Sequence, residues 1–192
     1  MRQSPWSGII GLIFTLISFA MLITDRHQWS FPAFIGVWLI FDYLAQKKGR
    51  ITTFMLLKNK PAVFIHLYVI MLLFGMSIEY AGRFLTGYWY YPKIGSLFME
   101  LLLILLYPFI LFSCREMFSW LESITKNYWS ALFGSVLLGV IIWEVPNVFS
   151  PDWVYVVLFL PLTLFSINIL VILGWFFLII FPLFIYKALG LN

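Results

Sequence analysis

Long apolar stretches separated by short polar ones run through the whole chain, and this pattern is the first guide to its structure. A helix needs about 20 residues to cross a bilayer core of roughly 30 Å. The stretches are continuously apolar, whereas strands of a membrane barrel alternate between apolar and polar residues. Six can be drawn, at about Ser7–Ile23, Phe31–Ala45, Pro61–Tyr80, Leu97–Cys114, Trp129–Phe149 and from near Trp153 to Lys187. The pattern predicts an all-α bundle of about six membrane-spanning helices.

The last stretch is too long for one span. It carries no charge from Trp153 to Tyr186, and as a single helix it would measure about 51 Å at 1.5 Å per residue. Three residues interrupt it near the middle: Pro161, Ser166 and Asn168. Either a short interfacial or re-entrant piece precedes one span near Ile167–Tyr186, or two short spans pack together, which would make seven in all.

Composition strengthens the membrane interpretation. The chain has 192 residues, of which 63% are hydrophobic and 10% are charged, whereas soluble domains carry about 25% charged residues. Six or seven helices with short loops use the whole length, so residues 1–192 are expected to form one integral-membrane domain. The net charge of +4 does not predict nucleic-acid binding, since membrane topology explains the basic residues better.

The distribution of basic residues predicts the orientation. The loop at 46–60 carries five of them, and cytoplasmic loops are enriched in Lys and Arg. With six spans both termini then lie in the cytoplasm, with nine of the twelve Lys and Arg residues on that side. A seventh span would move Lys187 outside and weaken the asymmetry. We therefore expect a multi-pass protein of the cell membrane.

This topology places three carboxyl groups at one depth near the outer surface. Glu79 ends the third span, Glu100 lies about one turn inside the fourth, and Glu144 ends the fifth. Above them the outer loop carries the aromatic residues Tyr88, Trp89 and Tyr90. Ionisable groups within a span are costly and are functional candidates for that reason. The aromatic residues also suit the belt common at membrane surfaces.

Other polar residues fall at different depths. Asp42 and His66 lie near the cytoplasmic ends of the second and third spans and are expected to form a secondary polar pair. Asn168 is the remaining deep polar group; it is a candidate for substrate binding or for a hydrogen bond between helices. Nucleotide-binding and hydrolase motifs are absent from the sequence. With two histidines and one cysteine, we expect no metal site and no cofactor.

A loose internal repeat links two of the carboxyl groups. Glu79 is followed by Trp89-Tyr90-Tyr91, and Glu144 by Trp153-Val154-Tyr155. Each segment follows one apolar stretch and leads into another that contains a proline. Repeated helix pairs in membrane proteins often hold a site between the two halves.

The segment from Glu79 to Glu116 resembles the small membrane lycopene cyclase domains of carotenoid synthesis. In that family an acidic span end leads to a Trp-x-aromatic loop and then to a span opened by Pro-x-Glu-Glu. Trp89-Tyr90-Tyr91 and Glu100 match parts of this pattern. Glu100 lacks the second Glu beside it, and both the proline before it and the paired Phe are absent.

The resemblance implies acid–base chemistry on an isoprenoid, without a redox change. Glu100 would donate a proton to a polyene, Glu79 or Glu144 would remove one, and Trp89 with Tyr90 would stabilise the cation. The residues leave two other functions open, a small transporter or proton-coupled carrier and a non-catalytic assembly or regulatory component. Membrane lipids and a hydrophobic isoprenoid are the expected ligands, and the sequence names no protein partner.

Overall fold

The computed structural model describes residues 5–24, 28–157, 162–164 and 166–191, and most of these residues are helical. In chain order the helices are α1 (Pro5–Ile23), α2 (Ser30–Lys47), α3 (Thr53–Asn59), α4 (Pro61–Glu79), α5 (Leu97–Thr125), α6 (Tyr128–Gly139), α7 (Val145–Phe149) and α8 (Ile169–Ala188). A π-helical segment, Tyr80–Leu85, extends α4, and another, Val140–Glu144, joins α6 to α7. The two-residue strands are β1 (Trp89–Tyr90), β2 (Val154–Tyr155), β3 (Thr163–Leu164) and β4 (Ile167–Asn168).

Five helical stretches of the described chain are long and apolar enough to cross a membrane. They are Pro5–Ile23, Pro61–Leu85, Leu97–Thr125, Tyr128–Phe149 and Ile169–Ala188. This confirms the prediction of an apolar helical bundle. The fourth predicted span was too short, because α5 continues beyond Cys114 to Thr125. The extra turns bury Arg115 and Glu116 inside the bundle.

Helix α2 corresponds to the second predicted span but is not among these five stretches. Its polar residues Asp42 and Gln46 are both buried. It packs between α1 and α5. A side chain at Gly36 would lie 2.7 Å from the backbone nitrogen of Thr15, so the glycine permits the close contact with α1. Protein rather than lipid surrounds most of α2, which explains how it accommodates an Asp.

The C-terminal stretch contains one helix in its described part. Helix α8 begins at Ile169, and Asn168 caps it by accepting a hydrogen bond from the Leu170 backbone N–H at 2.8 Å. Extended chain precedes it, including the β3–β4 pair, whose turn contains Ser166 with a φ of 66°. The described part of this stretch thus contains one candidate span, Ile169–Ala188. Pro161, and the basic residues Arg2 and Arg26 used in the charge count, lie outside the described residues.

Strands β1 and β2 bring two distant loops together. They pair antiparallel, with Trp89 opposite Tyr155 and Tyr90 opposite Val154. Because β1 follows the helix that ends at Leu85 and β2 follows α7, these two helices finish at the same end of the bundle. We call this the cavity end. We call the opposite end, where α5 and α8 finish, the cluster end.

Candidate functional site

The cavity end contains a cavity of about 660 Å³ between the helices. Its walls come from α2, α4, α5, α8, the second π-helical segment and the two paired loops. Most of its lining is apolar, including Phe34, Phe74, Leu103, Ile110 and Leu178. Pockets of roughly 300–1,000 Å³ with apolar walls and few polar groups are typical of small-molecule sites. Two acidic residues, Glu79 and Glu144, line this cavity.

Glu79 is held by two neutral donors from the first loop. Its side chain accepts a hydrogen bond from the Tyr91 hydroxyl and another, at 3.3 Å, from the Trp89 indole N–H. Only 7% of the residue is exposed. The helix changes to π geometry directly after Glu79, and such distortions often mark functional sites. Gly82, within this segment, leaves room for the Trp89 ring, which a Cβ would meet at 1.6 Å.

Glu144 is held in the same way with one donor more. It accepts hydrogen bonds from the Tyr155 hydroxyl and the Trp175 indole N–H, both at 3.1 Å, and from the Trp153 indole N–H at 3.4 Å. Only 4% of the residue is exposed, and it ends the second π-helical segment. A Cβ at Gly139 would lie 2.6 Å from the Trp175 ring, so this glycine permits the ring to approach.

Hydrogen bonds within the second loop fix the donors of Glu144. The Asn147 side chain accepts from the Asp152 and Trp153 backbone N–H groups at 2.8 and 3.1 Å, and it donates to the Trp153 carbonyl at 2.8 Å. Asp152 accepts from the backbone N–H and hydroxyl of Ser30 at the start of α2. The loop is thereby tied to the bundle, and the Trp and Tyr donors keep their places.

The two carboxyl groups therefore occupy equivalent half-sites. In each, a Trp indole and a Tyr hydroxyl, two residues apart in one loop, donate to the carboxyl group at the end of the preceding helix. Trp89 and Tyr155 also face each other across the strand pair, with ring centroids 6.4 Å apart. The loose sequence repeat thus corresponds to a repeated structural unit, and the cavity lies between its copies.

All the side-chain donors described for these two carboxyl groups are neutral. Among the described residues, no Lys or Arg lies within ion-pair distance of Glu79 or Glu144. Tyr91 and Tyr155 lie in loops outside the spans. Burial raises the pKa of both hydroxyls well above the ordinary tyrosine value, and the neighbouring carboxyl groups raise it further. The two tyrosines therefore remain protonated and act as donors.

Glu100 lies outside the cavity. It forms an ion pair with Arg83, whose Nη2 lies 2.8 Å from its Oε1, and 36% of its side chain is exposed. It sits in the first turn of α5, where a negative charge is favourable near the helix N-terminus. The depth predicted for Glu100 agrees with its pairing to Arg83 at the cavity end, but its side chain does not line the space shared by Glu79 and Glu144.

The predicted binding residues divide between the cavity and other roles. Tyr88 and Trp89 line the cavity. Tyr90 is 48% exposed, because successive residues of a strand point to opposite faces. Asn168 caps α8 and does not line the cavity, although Leu170 and Val171 do. Trp175, which the sequence reasoning missed, lies nearly two turns inside α8, whereas the aromatic belt lies at the ends of spans.

Asp42 and His66 do not form the predicted pair. Asp42 is fully buried and accepts hydrogen bonds from the Gln46 side chain and, at 2.9 Å, from the Phe54 backbone N–H. His66 is exposed, and its ring is hydrogen-bonded to the Ala62 carbonyl of its own helix. The buried face of α4 at this level carries Leu67 instead. The two residues lie near the same end, but His66 faces away from the bundle.

A set of buried polar residues, which we call the polar cluster, lies at the cluster end. It consists of Asp42, Thr53, Arg115, Glu116 and Tyr186. Arg115 Nη1 lies 2.8 Å from Glu116 Oε2 and donates to the Ile51 carbonyl at 2.6 Å. Glu116 also accepts from the backbone N–H and hydroxyl of Thr53, at 2.8 and 2.6 Å. The Arg115 guanidinium lies 4.2 Å from the centroid of the Tyr186 ring.

No family model, curated protein or solved structure matches this chain. The resemblance to the lycopene cyclase domains therefore stays a prediction. In the described part of the chain, His, Cys, Asp and Glu residues form no group of three that could hold a metal ion. The groups available for chemistry at this end of the bundle are the two half-sites and the cavity between them.

Proposed function

We propose that this protein is a membrane enzyme that cyclises or isomerises an isoprenoid by acid–base chemistry. One observation carries the proposal: two buried carboxyl groups, each held by neutral Trp and Tyr donors, line a single apolar cavity. A low-dielectric site can hold a carboxylic acid in its protonated form, and such an acid can donate its proton to a double bond. The pairing of two carboxyl groups supplies both an acid and a base.

The reaction balances without an oxidant or a reductant. One carboxyl group transfers its proton to a terminal double bond of the isoprenoid, which leaves a carbocation on the neighbouring carbon. A second double bond of the same molecule supplies its electron pair, and a carbon–carbon bond closes a ring. The other carboxyl group, as the carboxylate, removes a proton from the ring and leaves a new double bond. The product is an isomer of the substrate.

The aromatic walls suit this intermediate. Trp faces attract cations best among the aromatic side chains, and Tyr faces also do so. Trp143, Trp153 and Tyr107 line the cavity together with the donors Trp89 and Trp175. The walls also keep bulk water from the cation, because water would capture it and form an alcohol. A cavity of about 660 Å³ is large enough for the cyclising end group of a long polyene.

The topology that we propose for this protein in the membrane has six spans. Helix α2, with 18 residues, is about 27 Å long and would be the sixth. The basic loop around α3 then lies in the cytoplasm with both termini, and the cavity end faces the opposite side. We place this single-domain protein in the cell membrane, with its substrate dissolved in the bilayer.

Transport receives less support from the structure. A proton path across the membrane would have to connect the cavity to the polar cluster. Between these two levels lie buried apolar residues of α2, α4 and α5, among them Trp38, Met71, Leu111 and Phe112. His66, a candidate for such a path, faces away from the bundle.

Product formation in cells that accumulate a linear polyene tests the proposed function. Lycopene-producing bacteria expressing the protein are expected to accumulate a cyclic isomer, detected by chromatography and mass spectrometry. Glu79→Gln and Glu144→Gln should each lower the yield by about 10²- to 10⁴-fold, the usual contribution of a general acid or base.

Glu122→Gln is the matched control, since Glu122 pairs with Arg50 on the surface. It should cyclise lycopene like the wild type. Full activity of both cavity variants, with normal amounts of protein in the membrane, would contradict the acid and base roles. A protein that binds lycopene and returns it unchanged would be a carrier or a regulatory component.

A further inference from the structure

The cavity wall has a gap on one side. Helix α5 packs against α4 and against α8, and α6 packs against α8. In the described chain, α4 and α8 do not pack along their lengths. They meet at the stacked rings of Phe74 and Phe181, whose centroids are 3.5 Å apart with an interplanar angle of 9°. This stack closes the gap on the side toward the cluster end.

Toward the cavity end, the next turn of each helix leaves the gap open. Ile78 lies one turn beyond Phe74 on α4, and Phe177 lies one turn before Phe181 on α8. Both line the cavity, yet 72% of Phe177 is exposed on the outer face of the bundle. A residue that borders the cavity and the surface at once marks the rim of an opening. Both helices are membrane-spanning candidates, and in a bilayer this rim would face hydrocarbon.

Gly174 lies about one turn before Phe177 on α8, toward the cavity end. It lines the cavity, and a Cβ at this position would meet no atom within 4 Å. Three helical glycines at this end differ, since Gly75, Gly82 and Gly139 are each covered by an aromatic ring. The missing side chains of these three glycines make room for aromatic rings of the protein. The missing side chain of Gly174 instead leaves open space in the cavity.

We propose that the cavity opens sideways into the bilayer between α4 and α8, and that Gly174 sets the width of the passage for the end of a linear isoprenoid hydrocarbon. The ligand class rests on the proposed function, whereas the opening rests on the packing of the helices. One end of the chain passes between Ile78 and Phe177 to the two carboxyl groups. The remainder stays in the hydrocarbon of the surrounding lipid, above the Phe74–Phe181 stack.

Photolabelling tests the opening without requiring catalysis. The full-length protein is reconstituted in phosphatidylcholine nanodiscs with a linear isoprenoid hydrocarbon that carries a diazirine at one end. After irradiation, mass spectrometry is expected to find the label on peptides containing Ile78 and Phe177, and excess squalene should remove it. Label confined to the lipid-facing residues of α1, or label that squalene does not displace, would overturn the proposal.

Two leucine substitutions complete the test. Gly174→Leu should lower the displaceable label about tenfold, because added methylenes crowd the passage. Gly95→Leu is the control, since Gly95 also has open space at its Cβ position but does not line the cavity; it should label like the wild type. If Gly174→Leu also labels like the wild type, Gly174 does not set the width of the passage. Should Gly174→Leu fail to fold, Gly174→Ala provides a smaller graded loss, and the label position on the wild type still decides the opening.

The photolabelling result is independent of the reaction. Glu79→Gln should accept the label like the wild type while forming no cyclic product. Label at the opening without any product would retain the passage and contradict the proposed function. Product formation by a protein whose label lies elsewhere would retain the function and contradict the passage.

Discussion

Glu116 at the cluster end is buried in the opposite way to Glu79 and Glu144 at the cavity end. At the cluster end, Glu116 is paired with the buried Arg115, and backbone and hydroxyl donors satisfy its other oxygen. At the cavity end, Glu79 and Glu144 have only neutral Trp and Tyr donors among the described side chains, and empty space lies beside them. The ion pair joins neighbouring residues of α5 and ties this helix to the segment at Ile51 and Thr53 through further hydrogen bonds. A carboxyl group beside a cavity, by contrast, remains available to exchange a proton with a ligand.

The largest effect on stability is expected from Arg115→Met, which breaks the polar cluster. The substitution leaves Glu116 buried without its cation, and breaking a buried pair in this way costs about 3–5 kcal/mol. Thermal unfolding in detergent should show a large loss of stability or no folded protein. The exposed pair of Arg50 and Glu122 provides the control, because Arg50→Met should cost less than about 1 kcal/mol. Equal losses for the two variants would mean that the polar cluster does not hold the bundle.

Gly82→Ala tests the packing of the first half-site. The added Cβ would lie 1.6 Å from the Trp89 ring, so the indole must move away from Glu79. Forcing extra volume into a packed region costs about 1–3 kcal/mol. We expect lower thermal stability together with reduced cyclisation. Gly95→Ala, where a Cβ meets nothing within 4 Å, should change neither quantity.

Tyr91→Phe and Tyr155→Phe each remove one neutral donor at the cavity end. A typical hydrogen bond contributes about 1 kcal/mol, so each variant should lose roughly fivefold in cyclisation rate. Their alkaline stability should change as well. Because burial raises the pKa of both hydroxyls in the folded protein, wild-type stability is fully present below the unfolded tyrosine value of about 10 and falls above it. The Phe variants should therefore lose less stability than the wild type as the pH rises above about 10 in thermal melts.

Glu100→Gln is expected to have the smallest effect. Its ion pair with Arg83 is partly exposed, and such pairs contribute at most about 1 kcal/mol. Cyclisation should stay within about fivefold of the wild type, whereas Glu144→Gln should lose far more. A loss with Glu100→Gln as large as that with Glu144→Gln would return the acid role to Glu100, as the family resemblance implied.

Sequence reasoning predicted the position of a residue along the bundle better than its direction around a helix. Hydrophobic stretches and charges placed Glu79, Glu100 and Glu144 at one end, and the structure agrees. The face on which each side chain lies was not predicted: Glu100 turns toward Arg83, and His66 turns away from Asp42. Apolar spans carry little amphipathic pattern, because lipid and protein interior are both apolar, so their sequence does not indicate which face is buried.

The π-helical segments and Trp175 also escaped the sequence reasoning. A π-helical turn shifts the positions of the side chains that follow it. The residues of Tyr80–Leu85 and Val140–Glu144 carry no pattern that predicts such a turn. Trp175 lies in a helix whose residues are nearly all apolar, so its sequence context does not distinguish it. Its role depends on a hydrogen bond to Glu144 on another helix. The repeat of Trp-x-Tyr after each Glu was the one local signal that pointed to both half-sites.

Deuterium incorporation tests the central claim most directly. The protein in nanodiscs is equilibrated in D₂O, mixed with lycopene, and stopped after a single turnover for mass spectrometry. If a carboxyl group of the cavity protonates the polyene, each ring formed carries one deuterium, and neither Glu79→Gln nor Glu144→Gln gives a labelled ring. Cyclic product without deuterium, or labelled rings formed at the wild-type rate by both variants, would contradict acid–base catalysis by these two carboxyl groups.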